Sequence, residues 1–266
     1  MISATTHLGA RPNDDHKAAT GSRSRMSSPT EVAHLTLLGG AELRRGSTNV
    51  HLPLGAHRLL SFLALQNRAV RRPIIAEALW PNLVAVRAAA NLRSALWHAR
   101  RIDAPAVVDC AGQRVRLSPG VRVDVHEVTC RAREIISVPS AKGCLTDYGA
   151  LVEALSRGLL PTWSDEWVLI DRERWDQVRL HALEALARRL LAAEQHLSAL
   201  EVALGAVAIE PVREGAHRAV IEIHLAEGNS ACAIKHYQRY RALLRRELGV
   251  APSQQMQRLI RAVASL

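Results

Sequence analysis

Between positions 87 and 102 the polar residues recur at helical spacing. Asn91, Ser94, Trp97, His98 and Arg101 fall on one face, while Leu92, Leu96 and Ala99 form an apolar stripe. Asn, Ser, His and Arg can hydrogen-bond base edges or phosphate oxygens, and Arg93 and Arg100 flank the face with positive charge. The chemistry such a face offers is recognition of a polyanion. An amphipathic helix with a solvated face has the same pattern, so the surrounding chain must separate the two.

Other chemistry finds less support. Among the 12 histidines there is no H-E-x-x-H, and His217 and His224 stand seven apart with no acid or thiol at ligand spacing between them, so core or surface histidines are expected. No Ser-His-Asp or Cys-His arrangement can be read, since those are recognised by geometry. The expectation is a protein that is not an enzyme and takes no cofactor. Cys110, Cys130, Cys144 and Cys232 form no C-x-x-C pair, which suits a reduced, cytoplasmic setting. No apolar run approaches the roughly 18 residues of a membrane span, and the first residues lack a signal-peptide core.

Charge is unevenly placed along the 266 residues. Of the formal +10, residues 31–130 hold thirteen basic and seven acidic groups, net +6, whereas 1–30 and 131–266 carry +2 each. A basic module followed by a nearly balanced one suits polyanion binding by the first and not the second. With few aromatics, the core must be built from Leu, Ala, Val and Ile, which favours packed helices.

The elements that would position the face follow in order. Residues 1–30, rich in Ser, Thr, Ala and Arg without periodicity, read as a disordered tail. Three short strands are expected over 33–37, 41–45 and 48–52, as a small antiparallel sheet. A buried helix follows over 57–65, a second from Pro73 to Leu79 stopping at Trp80-Pro81, and the helix 87–102 is third. Segments 106–109 and 114–117 flank Gly112 as a hairpin would.

Sheet, three helices and hairpin make a winged helix-turn-helix, 31–122, with the third helix for the major groove. The chain here resembles the response-regulator-like winged helix of SARP-type antibiotic-pathway activators. Leu37-Leu38-Gly39-Gly40, Ala78-Leu79-Trp80-Pro81, Asn91 to Leu96 and Val123-Asp124-Val125 carry the resemblance.

The second module, 123–266, begins with a helix over 124–136 and a loop over 137–147. A short helix over 150–155 follows, then a long one to about 193 with Ser164 as its N-cap. Positions then match at an offset of 34 (Leu197 with Ala231, Leu200 with Ile234, Ala203 with Tyr237), the period of tetratricopeptide helix pairs, which predicts that Tyr237 is packed. Residues 255–264 read as a capping helix. Gly158-Leu159-Leu160-Pro161, Glu166-Trp167-Val168, His181 to Ala187, His224 to Asn229 and Glu247 to Ser253 make this half similar to the bacterial transcriptional activator domain of the same regulators. The expected fold is mainly α with a small β component, a winged helix followed by a tetratricopeptide-like helical-repeat domain. No P-loop follows, which implies the short form without an ATPase.

The resemblance implies a sequence-specific transcriptional activator that binds promoter direct repeats and recruits RNA polymerase holoenzyme, with double-stranded DNA as partner, a homodimer on DNA as one arrangement, and no membrane. It brings Ser94 and His98 near bases, with His98 standing where related winged helices often carry Arg. Arg93, Arg100 and Arg101 suit phosphates or solvated charge. Trp97 suits either a DNA sugar or thymine methyl, or packing against the wing or a neighbouring domain. Gln113 and Arg114 at the wing suit the minor groove or a turn without contacts. For Trp163, Trp167 and Trp175, core packing is expected over a ligand pocket. The alternative function is a protein-interaction scaffold whose winged helix does not bind DNA.

Overall fold

The computed structural model describes residues 32–102, 106–137 and 148–264. The tail 1–30 lies outside them, as does the loop 137–147 apart from its first residue. The fold is mainly α with a small β component, a winged helix followed by helical repeats. No described helix is long and apolar enough to cross a membrane.

Strands β1 (Ala33–Thr36), β2 (Glu42–Arg45) and β3 (Thr48–Asn49) form the antiparallel meander that alternation predicts. Two strands were not expected, Val70–Arg71 (β4) and Val121–Val123 (β7); the latter adds to β1 in parallel and gives the order β3-β2-β1-β7.

Helix α1 (Leu54–Gln66) starts three residues before the expected His57 and ends on Asn67 at φ 46°, a left-handed conformation that Asn tolerates at a helix end. Helix α2 (Arg72–Leu79) carries Pro73 in its first turn and stops where Pro81 disfavours the helical conformation at Trp80. The third helix, α3, runs from Ala85 to Arg100.

A second sheet of β4 (Val70–Arg71), β5 (Val108–Ala111) and β6 (Arg114–Leu117), in the order β4-β6-β5, contains the wing. Its turn is the two residues Gly112-Gln113, with Gly112 at φ 55°, so β5 begins two residues later than expected and pairs Ala111 with Arg114.

Then come α4 (Asp124–Ser137), α5 (Tyr148–Ser156), α6 (Glu166–Ala192), α7 (His196–Ile209), α8 (Glu214–Ala226), α9 (Ser230–Glu247) and α10 (Gln254–Ala264). Helices α7 and α9 start 34 residues apart, and α6 to α9 pack each on the next. The N-cap of α6 is Asp165 rather than Ser164, and its side chain makes no cap hydrogen bond because it pairs with Arg58 of α1.

One apolar core runs from Ala33 through α1, α3, α6 and α8 to Ile223, and a smaller one gathers Ile221, Ala233, Tyr240, Leu244 and Met256. Tyr237 is half-buried against the smaller core. Backbone bonds stitch the sheet to the segment before α6: Gly39 N–H donates to Gly158 O at 2.8 Å and Leu160 N–H to Leu37 O at 2.9 Å. Arg172 donates to the carbonyls of Leu159, Leu160 and Trp163 at 3.0, 2.6 and 2.7 Å. The Asp124 carboxylate accepts from Leu37 N–H at 2.9 Å and Leu38 N–H at 3.0 Å, tying the start of α4 to the end of β1. Burial raises its pKa, and these hydrogen bonds oppose the rise. Trp163, Trp167 and Trp175 pack as expected: Trp167 meets Phe62 edge-on at 5.4 Å and Trp163 at 6.0 Å, and Trp175 Nε1 donates to Arg157 O at 3.0 Å.

Candidate nucleic-acid interface

Helix α3 is anchored by Ala88, Leu92, Ala95, Leu96 and Ala99, all buried, through packing on α1 and α2. Small residues at 88, 95 and 99 let those helices approach closely, so the opposite face is pushed outward. Asn91, Arg93, Ser94, Trp97, Arg100 and Arg101 are exposed, and His98 is half-buried. From Ala85 to Arg100 the helix contains no Asp or Glu. Among the described residues, Arg87, Arg93, Arg100 and Arg101 form no ion pair with a carboxylate.

Trp97 is 52% exposed, and its indole meets the His98 ring edge-on at 4.8 Å. The Arg101 guanidinium carbon sits 4.6 Å from the centre of that indole ring, a cation–π contact that holds the cation at the end of the face. Of the two readings of Trp97, burial against the wing or a neighbouring domain is therefore not what the fold provides.

Gln113 and Arg114 are exposed at the wing turn. The Gln113 carbonyl accepts from Arg72 N–H at 2.9 Å, and Arg114 Nη1 donates to Ala69 O at 3.3 Å, so the turn is tied to the start of α2. Behind it, Arg116 pairs with Asp109 at 3.0 Å across the hairpin. Between α2, α3 and the wing lies a cleft of about 690 Å³, with Trp80, Ala88 and Leu92 as apolar wall and Arg72, Arg93 and Gln113 among its polar residues. The fold thus gathers Arg93 and Gln113 around one cleft, while Trp97, His98 and Arg101 cluster at the far end of α3.

Residues the sequence reading passed over also belong to the face. Val86, 79% exposed in the first turn, continues the stripe of Ala90, Trp97 and Arg101 at helical spacing. Extending that stripe backward from Trp97 would have found it. It was missed because the helix starts at Ala85, two residues before the expected start, and Val84 at its N-cap makes no side-chain cap bond that would signal the boundary.

The histidines of the helical repeats form no comparable face. His217 Nε2 lies 2.8 Å from Pro211 O, its Nδ1 lies 2.9 Å from His236 Nε2, and its ring stacks on Tyr240 at 4.1 Å. A carbonyl only accepts, so Nε2 of His217 carries the proton and Nδ1 accepts from His236. Burial lowers both pKa values, that of His236 to about 4, with the neighbouring His217 adding to the shift. His224 turns instead toward Glu227, at 3.6 Å. Among the described residues no three His, Cys, Asp or Glu side chains gather as a metal site.

Residues 139–264 match the family described as the bacterial transcriptional activator domain. No curated protein matches the chain. Among solved structures, EmbR of Mycobacterium tuberculosis, solved in complex with a low-affinity phosphopeptide, is similar with a TM-score of 0.73 at 19% identity, over 88% of this chain and 65% of that one. The chain therefore spans less than two thirds of that relative, and at this identity the likeness speaks for the fold.

Proposed function

We propose that this protein is a sequence-specific DNA-binding transcriptional regulator, an activator that binds promoter direct repeats and recruits RNA polymerase holoenzyme. The observation that carries the reading is the exposed face of α3, which is free of acids and lined by Asn91, Arg93, Ser94, Trp97, His98, Arg100 and Arg101. Such a face pays no penalty of like-charge repulsion against a phosphate backbone, and Asn91, Ser94 and His98 supply the donors and acceptors that base edges require. The family match over 139–264 supports a role in transcription for the helical repeats.

In the mechanism, α3 enters the major groove and the wing, through Gln113 and Arg114, meets the adjacent backbone or minor groove. The winged helix and the repeats share one core, so a partner held by α6 to α10 is carried at a set distance from the bound DNA. Two protomers side by side on direct repeats would place their half-sites about 10–11 base pairs apart, one helical turn.

Selection of bound duplexes from a random pool tests the reading, with the parent run beside a variant carrying Ser94→Ala, His98→Ala and Arg101→Ala. A repeated motif is expected with the parent and not with the variant. A parent that enriches nothing at low salt, where binding is strongest, overturns DNA recognition and leaves a winged helix that serves as a protein-binding surface.

A further inference from the structure

The wing sheet sets two arginines against each other. Arg71 of β4 and Arg114 of β6 stand directly opposite in the antiparallel register. In the next row Arg72 N–H donates to Gln113 O, so 71 and 114 form a non-hydrogen-bonded pair, the kind in which Cα atoms come within about 4.5 Å and side chains lie closest. Both residues are exposed, and among the described residues neither pairs with a carboxylate. Arg114 donates only to the neutral carbonyl of Ala69, at 3.3 Å. The other charged side chains of the three strands, Arg116 and Asp109, pair with each other at 3.0 Å. Like charges directly opposite are destabilising, so the sheet keeps a repulsion here that an anion would remove.

Alternation along the strands decides which way the pair looks. Arg72 and Gln113 line the cleft shared with Arg93 of α3, as does Glu77, and Val70 and Val115 are buried. Arg71 and Arg114 are one residue out of step with both rows and therefore lie on the opposite face of the sheet.

We infer that Arg71 and Arg114 together hold a phosphate of the second DNA strand, across the minor groove from the strand that passes between α3 and the wing. The inference rests on the reading of α3 as a groove-bound helix and adds β4 to the interface. With α3 in the major groove and the hairpin over the minor groove, the backbone between the two grooves runs past Arg93, Arg72 and Gln113. The far face of the hairpin then looks across a minor groove only about 6 Å wide to the other backbone. Two guanidinium forks from adjacent strands can each offer paired N–H donors to one phosphate, and neither has to give up a carboxylate to do so.

The test uses the full chain and the duplex enriched from the random pool, with dissociation constants measured across a salt series. Arg71→Gln is expected to bind about fivefold more weakly than the parent at 0.1 M salt and to lower the salt slope by about 0.9, the value of one phosphate contact, with the enriched motif unchanged. Arg241→Gln, which removes an exposed charge from α9, should match the parent in both. Arg71→Glu replaces the repulsion by a cross-strand ion pair with Arg114, so it should bind more weakly still while melting no lower than the parent. Shortening the duplex on the wing flank should reproduce the loss in the parent and add nothing in Arg71→Gln. An Arg71→Gln protein with the parent's affinity and slope overturns the inference. Should that variant fail to fold, Arg71→Glu is read in its place beside Arg71→Lys, which keeps the charge: the lysine should hold a slope near the parent's and the glutamate should not, and equal slopes in the two are equally fatal. Titration with inorganic phosphate separates the two sources of the anion: saturable binding that Arg71→Gln abolishes, with duplex affinity unchanged, makes the occupant a free anion and overturns the backbone assignment. If the parent binds no duplex at any salt, the DNA-binding reading and this inference both fall; if the parent binds and only the variant's loss is missing, this inference falls alone.

Discussion

At the junction and in the helical repeats, arginines are committed to the chain itself. Arg58 pairs with Asp165, Arg172 satisfies three carbonyls ahead of α6, and Arg213 Nε meets the nearly buried Glu184 at 2.6 Å. Along α3 and at its C-cap the same residue type pairs with no carboxylate among the described residues at 87, 93, 100 and 101. The first group is partly desolvated, so losing one partner strands the other in a low-dielectric setting. The second is solvated, costs the fold little, and sustains the potential that a polyanion would meet. Stability and binding should therefore separate by region.

The largest effect is expected from Arg213→Ala. It leaves the Glu184 carboxylate without its cation and should cost on the order of 3 kcal/mol, read as a lower urea midpoint, while the folded fraction keeps the parent's duplex affinity. An equal loss of duplex affinity would erase the distinction between the regions. Next, Arg93→Ala with Arg100→Ala should weaken duplex binding about tenfold or more at 0.1 M salt, with a salt slope lower by roughly 1.8. Its unfolding free energy should stay within about 0.5 kcal/mol of the parent's.

A smaller effect is expected with pH. The folded pKa of His236 is lowered to about 4, with burial the main cause, and that of His217 is lowered as well. Between about pH 6.5 and 4 the unfolded chain binds protons that these folded histidines refuse, so their contribution is complete above 6.5 and is lost as pH falls. Asp124, whose pKa is raised, works in the opposite direction, so the difference between the parent and His236→Gln isolates the histidine contribution. The melting temperature of the variant should fall less steeply from pH 7 to pH 5, and parallel profiles would remove the pair from the account. The smallest effect should come from Val86→Thr, a change of about two- to fivefold in preference at one base position with no change in melting temperature. A shift in melting temperature instead would make Val86 part of the packing.

Much of this architecture was legible because it is local. The apolar stripe of Leu92, Leu96 and Ala99 marked the buried side of α3, and the offset of 34 equals the spacing between the starts of α7 and α9. Gly112 marked the wing turn. Other features carry no local signal. Val121–Val123 is too short to read as a strand and becomes one only because β1 lies beside it. Asp165 rather than Ser164 is the N-cap, and its carboxylate is engaged by Arg58, 107 residues away in sequence. Arg71 looks like any exposed residue ahead of a helix until β6 sets Arg114 opposite it.

The amino-acid order by itself determined where helices run, where the repeat falls, and that positive charge gathers in 31–130 without acids on α3, since each follows from spacing along the chain. Which arginines are paired, which histidine carries a proton on which nitrogen, and which basic side chains share a cleft were decided by the tertiary structure alone. Those outcomes depend on distance and desolvation between residues far apart in sequence, and periodicity has no access to either.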